Sequence, residues 1–135
     1  MQKYDTSKGG QFSHAYGDFF RFATEFFNFT DGTEEGWKSL IKESGMLCNQ
    51  QTNTSHELFI RHLFVSFLSW KDKQIRSDAP APILDTQFRS MLIDYWNYIS
   101  GDVNQKYHGN GFWTKWADVP FAEELMNNYR YLTQR

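Results

Sequence analysis

"FSHAYGDFFRFATEFFNF", residues 12–29, is the stretch that decides the fold of this chain. Phe12, Tyr16, Phe19, Ala23 and Phe26 step by 4, 3, 4 and 3, while Asp18, Arg21, Glu25 and Asn28 keep the same rhythm on the other side. That alternation is the period of an amphipathic helix. Phe20 and Phe27 widen the apolar stripe, and Phe22 and Phe29 carry it further round. The stripe is broader than one packing neighbour requires, which predicts a central helix. "TDGT" then closes it, with Gly32 as the expected C-terminal cap and Thr33 as the N-cap of a second helix.

The same period runs through the rest of the chain. Glu34 and Glu35 suit the positive end of a short second helix, with Trp37, Leu40 and Ile41 on its buried edge and Gly45 as its expected end. "CNQQTNTS" reads as polar linker. A third helix opens near Ser55 and repeats Phe59, Ile60, Leu63, Phe64, Phe67 and Leu68 at i, i+1, i+4, i+5, i+8 and i+9. "WKDKQIR" carries that helix outward into solvent. Pro80 and Pro82 forbid its continuation. Leu84, Phe88, Met91, Leu92, Tyr95 and Ile99 then mark a fourth helix ending at Gly101. The last helix opens around "DVPF", with Pro120 in its first turn and Phe121, Leu125, Tyr129 and Leu132 along one edge. Strand alternation does not persist anywhere, and no internal repeat is visible. The expectation is an all-α single domain: residues 1–11 as a flexible N-terminal arm, and residues 12–135 as an irregular bundle of about five helices.

Composition bounds the function. The 135 residues are the size of one domain, and aromatic residues make up 19% of them, as 13 Phe, 7 Tyr and 5 Trp. Large rings serve both cores and binding surfaces, so their number alone does not separate the two. Fourteen basic residues against sixteen acidic ones give a net charge of −2, which is no electrostatic footprint for nucleic acid. The single cysteine, Cys48, excludes an internal disulfide and a cysteine zinc cage, and fits a reducing compartment. The polar start "MQKYDTSKGGQFSH" holds no apolar signal segment, and apolar runs fall far short of the about 20 residues a membrane helix needs. A soluble cytoplasmic protein is expected, with no membrane partner.

Candidate chemistry is sparse. In "SHELFIRHLF" the two histidines, His56 and His62, stand six residues apart, about 600° of helical rotation, so one helix does not present both to one metal. A metal site between helices would recruit His14, His56 or His108, and a ligand pocket would use His14, His62 or His108 as its polar group. Cys48 is a nucleophile only if the fold brings a histidine to it, and otherwise a small packing residue. Asp18, Glu25, Asp94, Glu123 and Glu124 fall on expected solvent faces. "GNG" at 109–111 lacks the rest of a phosphate loop and reads as a turn. Lys71, Lys73 and Arg76 beside Trp70 offer a small basic-aromatic cluster, interrupted by Asp72.

The connection before the last helix is the densest candidate. "YHGNGFWTKWADVPF", residues 107–121, packs aromatic rings into a link with no long periodicity. If "GFWTKWADV" forms a helical turn, Phe112, Trp113 and Trp116 share a face and close the open end of the bundle. If a tryptophan stays exposed, Tyr107, His108, Asn110, Phe112, Trp113, Lys115 and Trp116 form a partner-binding surface around an aromatic anchor. The function expected is a non-enzymatic protein-interaction module, such as an inhibitor, an immunity-type protein or an accessory protein. It would work without a cofactor by occupying the surface of another protein; a homodimer hiding the aromatic loop fits the same residues. The alternatives are a helical small-ligand- or metal-binding protein or small enzyme with an aromatic pocket, and a nucleic-acid accessory protein.

Overall fold

A computed structural model describes residues 9–29, 32–77, 83–100 and 111–133. These form six helices and no strand: α1 (Gln11–Glu25), α2 (Glu34–Asn49), α3 (Glu57–Arg76), α4 (Asp85–Ile99), α5 (Gly111–Trp116) and α6 (Ala122–Thr133). The all-α expectation holds, and the helix added to the expected five is α5. Of the expected N-terminal arm, residues 1–8 lie outside the described residues, and Gln11 is already helical.

The centre of the molecule is a sheaf of rings between α1, α3 and α4. α1 buries Phe12, Ala15, Tyr16, Phe19, Phe22 and Ala23, as its three-four spacing dictates. Phe19 and Phe22 meet Phe64 of α3 with centroids 5.3 and 5.2 Å apart, while Tyr16 stacks on Trp96 of α4 at 5.0 Å. Offset and edge-on ring pairs at such distances add to simple area burial. α3 packs against α1, α2 and α6; α4 packs against α1, α5 and α6. α1 and α4 run in opposite directions, since Phe12 meets Trp96 at one end and Phe27 meets Phe88 at the other.

Several boundaries differ from the sequence reading for local reasons. α1 ends at Glu25, and Phe26–Asn28 form a turn rather than a last helical turn. Gly32 therefore does not cap α1; a Cβ there would meet Ile75 Cγ2 at 3.3 Å, so it lets the chain pass close to α3. Thr33 caps α2 as expected, its hydroxyl accepting from the Gly36 N–H at 3.1 Å. α2 runs through Gly45 to Asn49, because Leu40, Ser44 and Cys48 continue a buried i, i+4, i+8 seam that outweighs one unfavourable glycine. Cys48 thus lies inside a helix. Asn53, at φ 70°, takes a left-handed turn tolerated by asparagine and gives its N–H to Glu57 Oε1 at 2.9 Å. α6 starts two residues after Pro120. Ahead of it Phe121 sits at φ 79°, a strained value for a bulky residue, held there by its ring packing on Phe88 at 5.6 Å and Trp70 at 5.2 Å.

Candidate functional site

The aromatic connection folds onto the end of α4. Phe112 is fully buried, stacked on Tyr98 at 5.5 Å and tilted against Tyr95 at 5.5 Å. Trp116 is buried too, and its indole N–H donates to Asp94 Oδ2 at 3.0 Å. Lys115 Nζ donates to the same oxygen at 3.0 Å and stands 5.1 Å from the Trp116 ring centroid. Trp113 is half-buried, edge-on to Tyr98 at 5.3 Å and donating to its hydroxyl at 3.1 Å. Phe112 and Trp116 therefore close the core, while Trp113 and Lys115 keep an outer side. Tyr107, His108 and Asn110 lie outside the described residues. Asp94, expected on a solvent face, is buried: Lys115 and Trp116 supply the donors that a sequestered carboxylate needs.

A second polar group locks α6. Asn128 is fully buried, its Oδ1 accepting from the Tyr95 hydroxyl at 2.7 Å and its Nδ2 donating to the Phe59 carbonyl at 2.9 Å. Nδ2 also lies 3.2 Å from His62 Nδ1, and the His62 ring packs on Tyr131 at 4.9 Å. Burial lowers the His62 pKa below its ordinary value, with Glu124 opposing weakly. Burial likewise raises the Tyr95 hydroxyl well above the usual phenol range. Nothing in the local pattern of α6 marks Asn128 as core; its partners come from helices α3 and α4.

The other histidines stand apart from this group. His56 is buried, stacked on Phe12 at 4.8 Å and bonded to Gln51 Oε1 at 2.8 Å, and burial lowers its pKa. His14 is exposed on α1. Among the described residues no three His, Cys, Asp or Glu side chains gather closely enough to hold a metal ion. Cys48 is buried and its thiol pKa is raised by burial, with Arg61 pulling the other way.

Lys71 corrects the reading of the third helix's end. It is 1% exposed rather than solvated. Its Nζ donates to the Phe27 carbonyl at 2.6 Å and to Gln74 Oε1 at 3.0 Å. Phe27 lies just beyond α1, where helix carbonyls lack intrahelical donors, so the ammonium ties the end of α1 to α3. Burial brings its pKa down to about 8. The basic cluster beside Trp70 is thereby reduced to Lys73 and Arg76, and Arg76 pairs with Asp72 at 2.8 Å.

Among the grooves on the surface of the described residues, two have mainly apolar floors. One, of about 320 Å³, runs between α2 and α3 and is lined by Trp37, Ile41, Val65 and Leu68, with Asp72 and Arg76 at its rim. The other, of about 270 Å³, runs between α1 and α4 over Tyr16, Gly17, Phe20, Ile93 and Trp96. Ile41, Val65 and Ile93 are 41%, 54% and 48% exposed. No helix among the described residues is long and apolar enough to cross a membrane. No protein-family model matches the chain, and no curated protein or solved structure is significantly similar to it.

Proposed function

We propose that this protein is a non-enzymatic interaction module that works by occupying the surface of another protein, as an inhibitor, an immunity-type protein or an accessory protein does. One observation carries the reading. Trp37, Ile41, Val65 and Leu68 form a contiguous apolar groove between two helices, with Ile41 and Val65 left largely in solvent. Single exposed apolar residues are ordinary, but contiguous ones mark interaction sites. The buried polar groups of the core serve packing. Asp94, Asn128, Tyr95 and Lys71 are each tied into contacts between helices. The outer side of Trp113 and Lys115 belongs to the same reading as an aromatic contact next to a charge. So does a cytoplasmic location, which the lone cysteine fits.

The test is affinity capture from lysate of the source cells with two baits, the wild type and an Ile41→Glu/Val65→Glu variant of matched stability. A protein held by the wild type and lost from the variant supports the reading. Identical recoveries on both baits, or none on either, count against an apolar interaction surface here.

A further inference from the structure

α6 holds to the bundle through a small face. Ala122, Leu125 and Asn128 are its buried residues, and the last of them is polar. The Phe59 carbonyl, 2.9 Å from Asn128, can only accept, so the nitrogen of the amide must lie there. Oδ1 then falls to the Tyr95 hydroxyl at 2.7 Å. One N–H of Nδ2 serves Phe59, and the second is left for His62 Nδ1, 3.2 Å away. A ring nitrogen that faces an N–H is the one without a proton, which puts the proton of neutral His62 on Nε2.

Protonation reverses this contact. An imidazolium carries N–H on both nitrogens, so Nδ1 would set a donor against a donor. Ser66 does not relieve the conflict. Its Oγ lies 3.4 Å from Nδ1 and 3.5 Å from Nε2, and an atom so nearly equidistant is in line with the N–H of neither. Glu124, one turn before Asn128 on α6, is the carboxylate whose field favours a charged ring. α1 and α2 also pack on α3, but among the described residues neither sets a charge against His62. A charged His62 that turns to Glu124 abandons Asn128 and leaves the Tyr131 ring on which it packs at 4.9 Å. His56 makes the contrast: its Nε2 faces Gln51 Oε1 at 2.8 Å, a bond that a protonated ring keeps.

We infer that His62 and Asn128 form an acid-sensitive latch: protonation of His62 turns the Nδ1–Asn128 contact from attraction to repulsion and frees α6 from α3, while the ring-packed body of α1, α3 and α4 stays folded. The inference goes beyond the interaction-module reading and does not depend on it. Burial makes the ring harder to charge and so sets the release below the ordinary histidine range. The body keeps its own packing, because Phe19 and Phe22 on Phe64, and Tyr16 on Trp96, involve no residue of α6. The face that α6 leaves carries Phe59 and Tyr95, two rings stacked 6.4 Å apart and both buried while the latch is closed.

The test is hydrogen exchange of the whole chain, read by mass spectrometry from pH 7.5 to 5.0 and corrected for intrinsic rates, beside an NMR titration of the histidine rings. At pH 7.5 the His62 ring should show the Nε2–H tautomer. As His62 protonates, exchange in α6 should rise about tenfold or more, with the midpoint of His62 itself, while α1, α3 and α4 keep their protection. The variant His62→Asn, whose side-chain oxygen takes the place of Nδ1 as an acceptor and does not titrate, should hold α6 across the range. His14 and His56 remain in that variant, so a rise that persists in it overturns the assignment to His62. An Nδ1–H tautomer at pH 7.5 overturns the latch geometry. Titration of His62 with unchanged exchange in α6 overturns the switch. Exchange that rises together in every helix overturns local release and leaves ordinary acid unfolding. Should the variant not fold, the tautomer and the shared midpoint decide, since both are read on the wild type.

Discussion

Replacing Lys71 with methionine should remove a rise in stability that the wild type shows between pH 7 and pH 9.5. A lysine at 10.5 in the unfolded chain and about 8 in the fold is harder to charge once folded, by about 3 kcal/mol at pH 7. Its folded pKa is depressed, so the unfolded state binds more protons between those values, and stability rises with pH there. From pH 7 to pH 9.5 the wild type should regain about 2 kcal/mol of the deficit. Tyr16 and Tyr95 act in the opposite sense: their raised pKa values contribute stability that is present below 10 and lost above it, so the window stops short of them. At pH 7 the substitution itself is not decisive. Methionine removes the charging cost but leaves the Phe27 carbonyl without its donor, at about 1–3 kcal/mol. The slope is decisive. Urea unfolding of both proteins at pH 7.0, 8.0, 9.0 and 9.5 should give curves that converge or cross with a differential of about 2 kcal/mol. Parallel pH profiles would refute a buried, charged Lys71 and return it to the solvated helix end suggested by its sequence.

Phe121 offers a comparison with an unusual order. Truncation to alanine or glycine loses the ring packed on Phe88 and Trp70, at about 3–5 kcal/mol, but at φ 79° glycine should exceed alanine by about 1 kcal/mol in urea melts. Tyr95→Phe leaves Asn128 Oδ1 without its donor in the core and should destabilise by about 1–3 kcal/mol, with little change in near-neutral pH dependence. His56 and His62 have folded pKa values below the ordinary 6.5, so their contribution is present above pH 6.5 and lost as the pH falls below it; His62→Gln should flatten that acid limb in thermal melts. Trp116→Ala should destabilise by about 3–5 kcal/mol and leave Asp94 one donor short, whereas Trp113→Ala should cost less and remove the more acrylamide-quenchable fluorescence of the pair.

The stripes of α1, α3 and α4 were legible because each is long, periodic and buried along one face. Thr33 was legible because a cap is a local event between residues three apart. The misreadings share a physical origin in partners distant along the chain. Lys71 looks solvated beside Asp72 and Lys73, and only the end of α1, 44 residues earlier, makes its burial tolerable. Asp94 follows the outward rhythm of an amphipathic helix until Trp116, 22 residues later, brings a donor. Gly45 alone predicts a helix end, yet the seam from Leu40 to Cys48 carries α2 past it. Of the aromatic connection, the spacing of Phe112, Trp113 and Trp116 permitted a helical turn, and α5 is that turn. The grooves have no signature in the sequence, because each is made by the meeting of two helices.

Cys48 turns α2 into its own reporter. α2 fully buries three residues, fewer than α1, α3 or α4, and one of them is this thiol, so the long helix with the smallest fully buried face carries the only sulfhydryl of the sequence. Alkylation then proceeds mainly through states in which α2 has opened. Its rate constant, divided by that of a free thiol, reads the population of molecules with α2 displaced, under fully native conditions and without an added label. A steep dependence of that rate on urea would mean that α2 leaves together with the core. A flat one would mean that it swings away alone, uncovering the α3 side of the Trp37–Val65 groove as it goes.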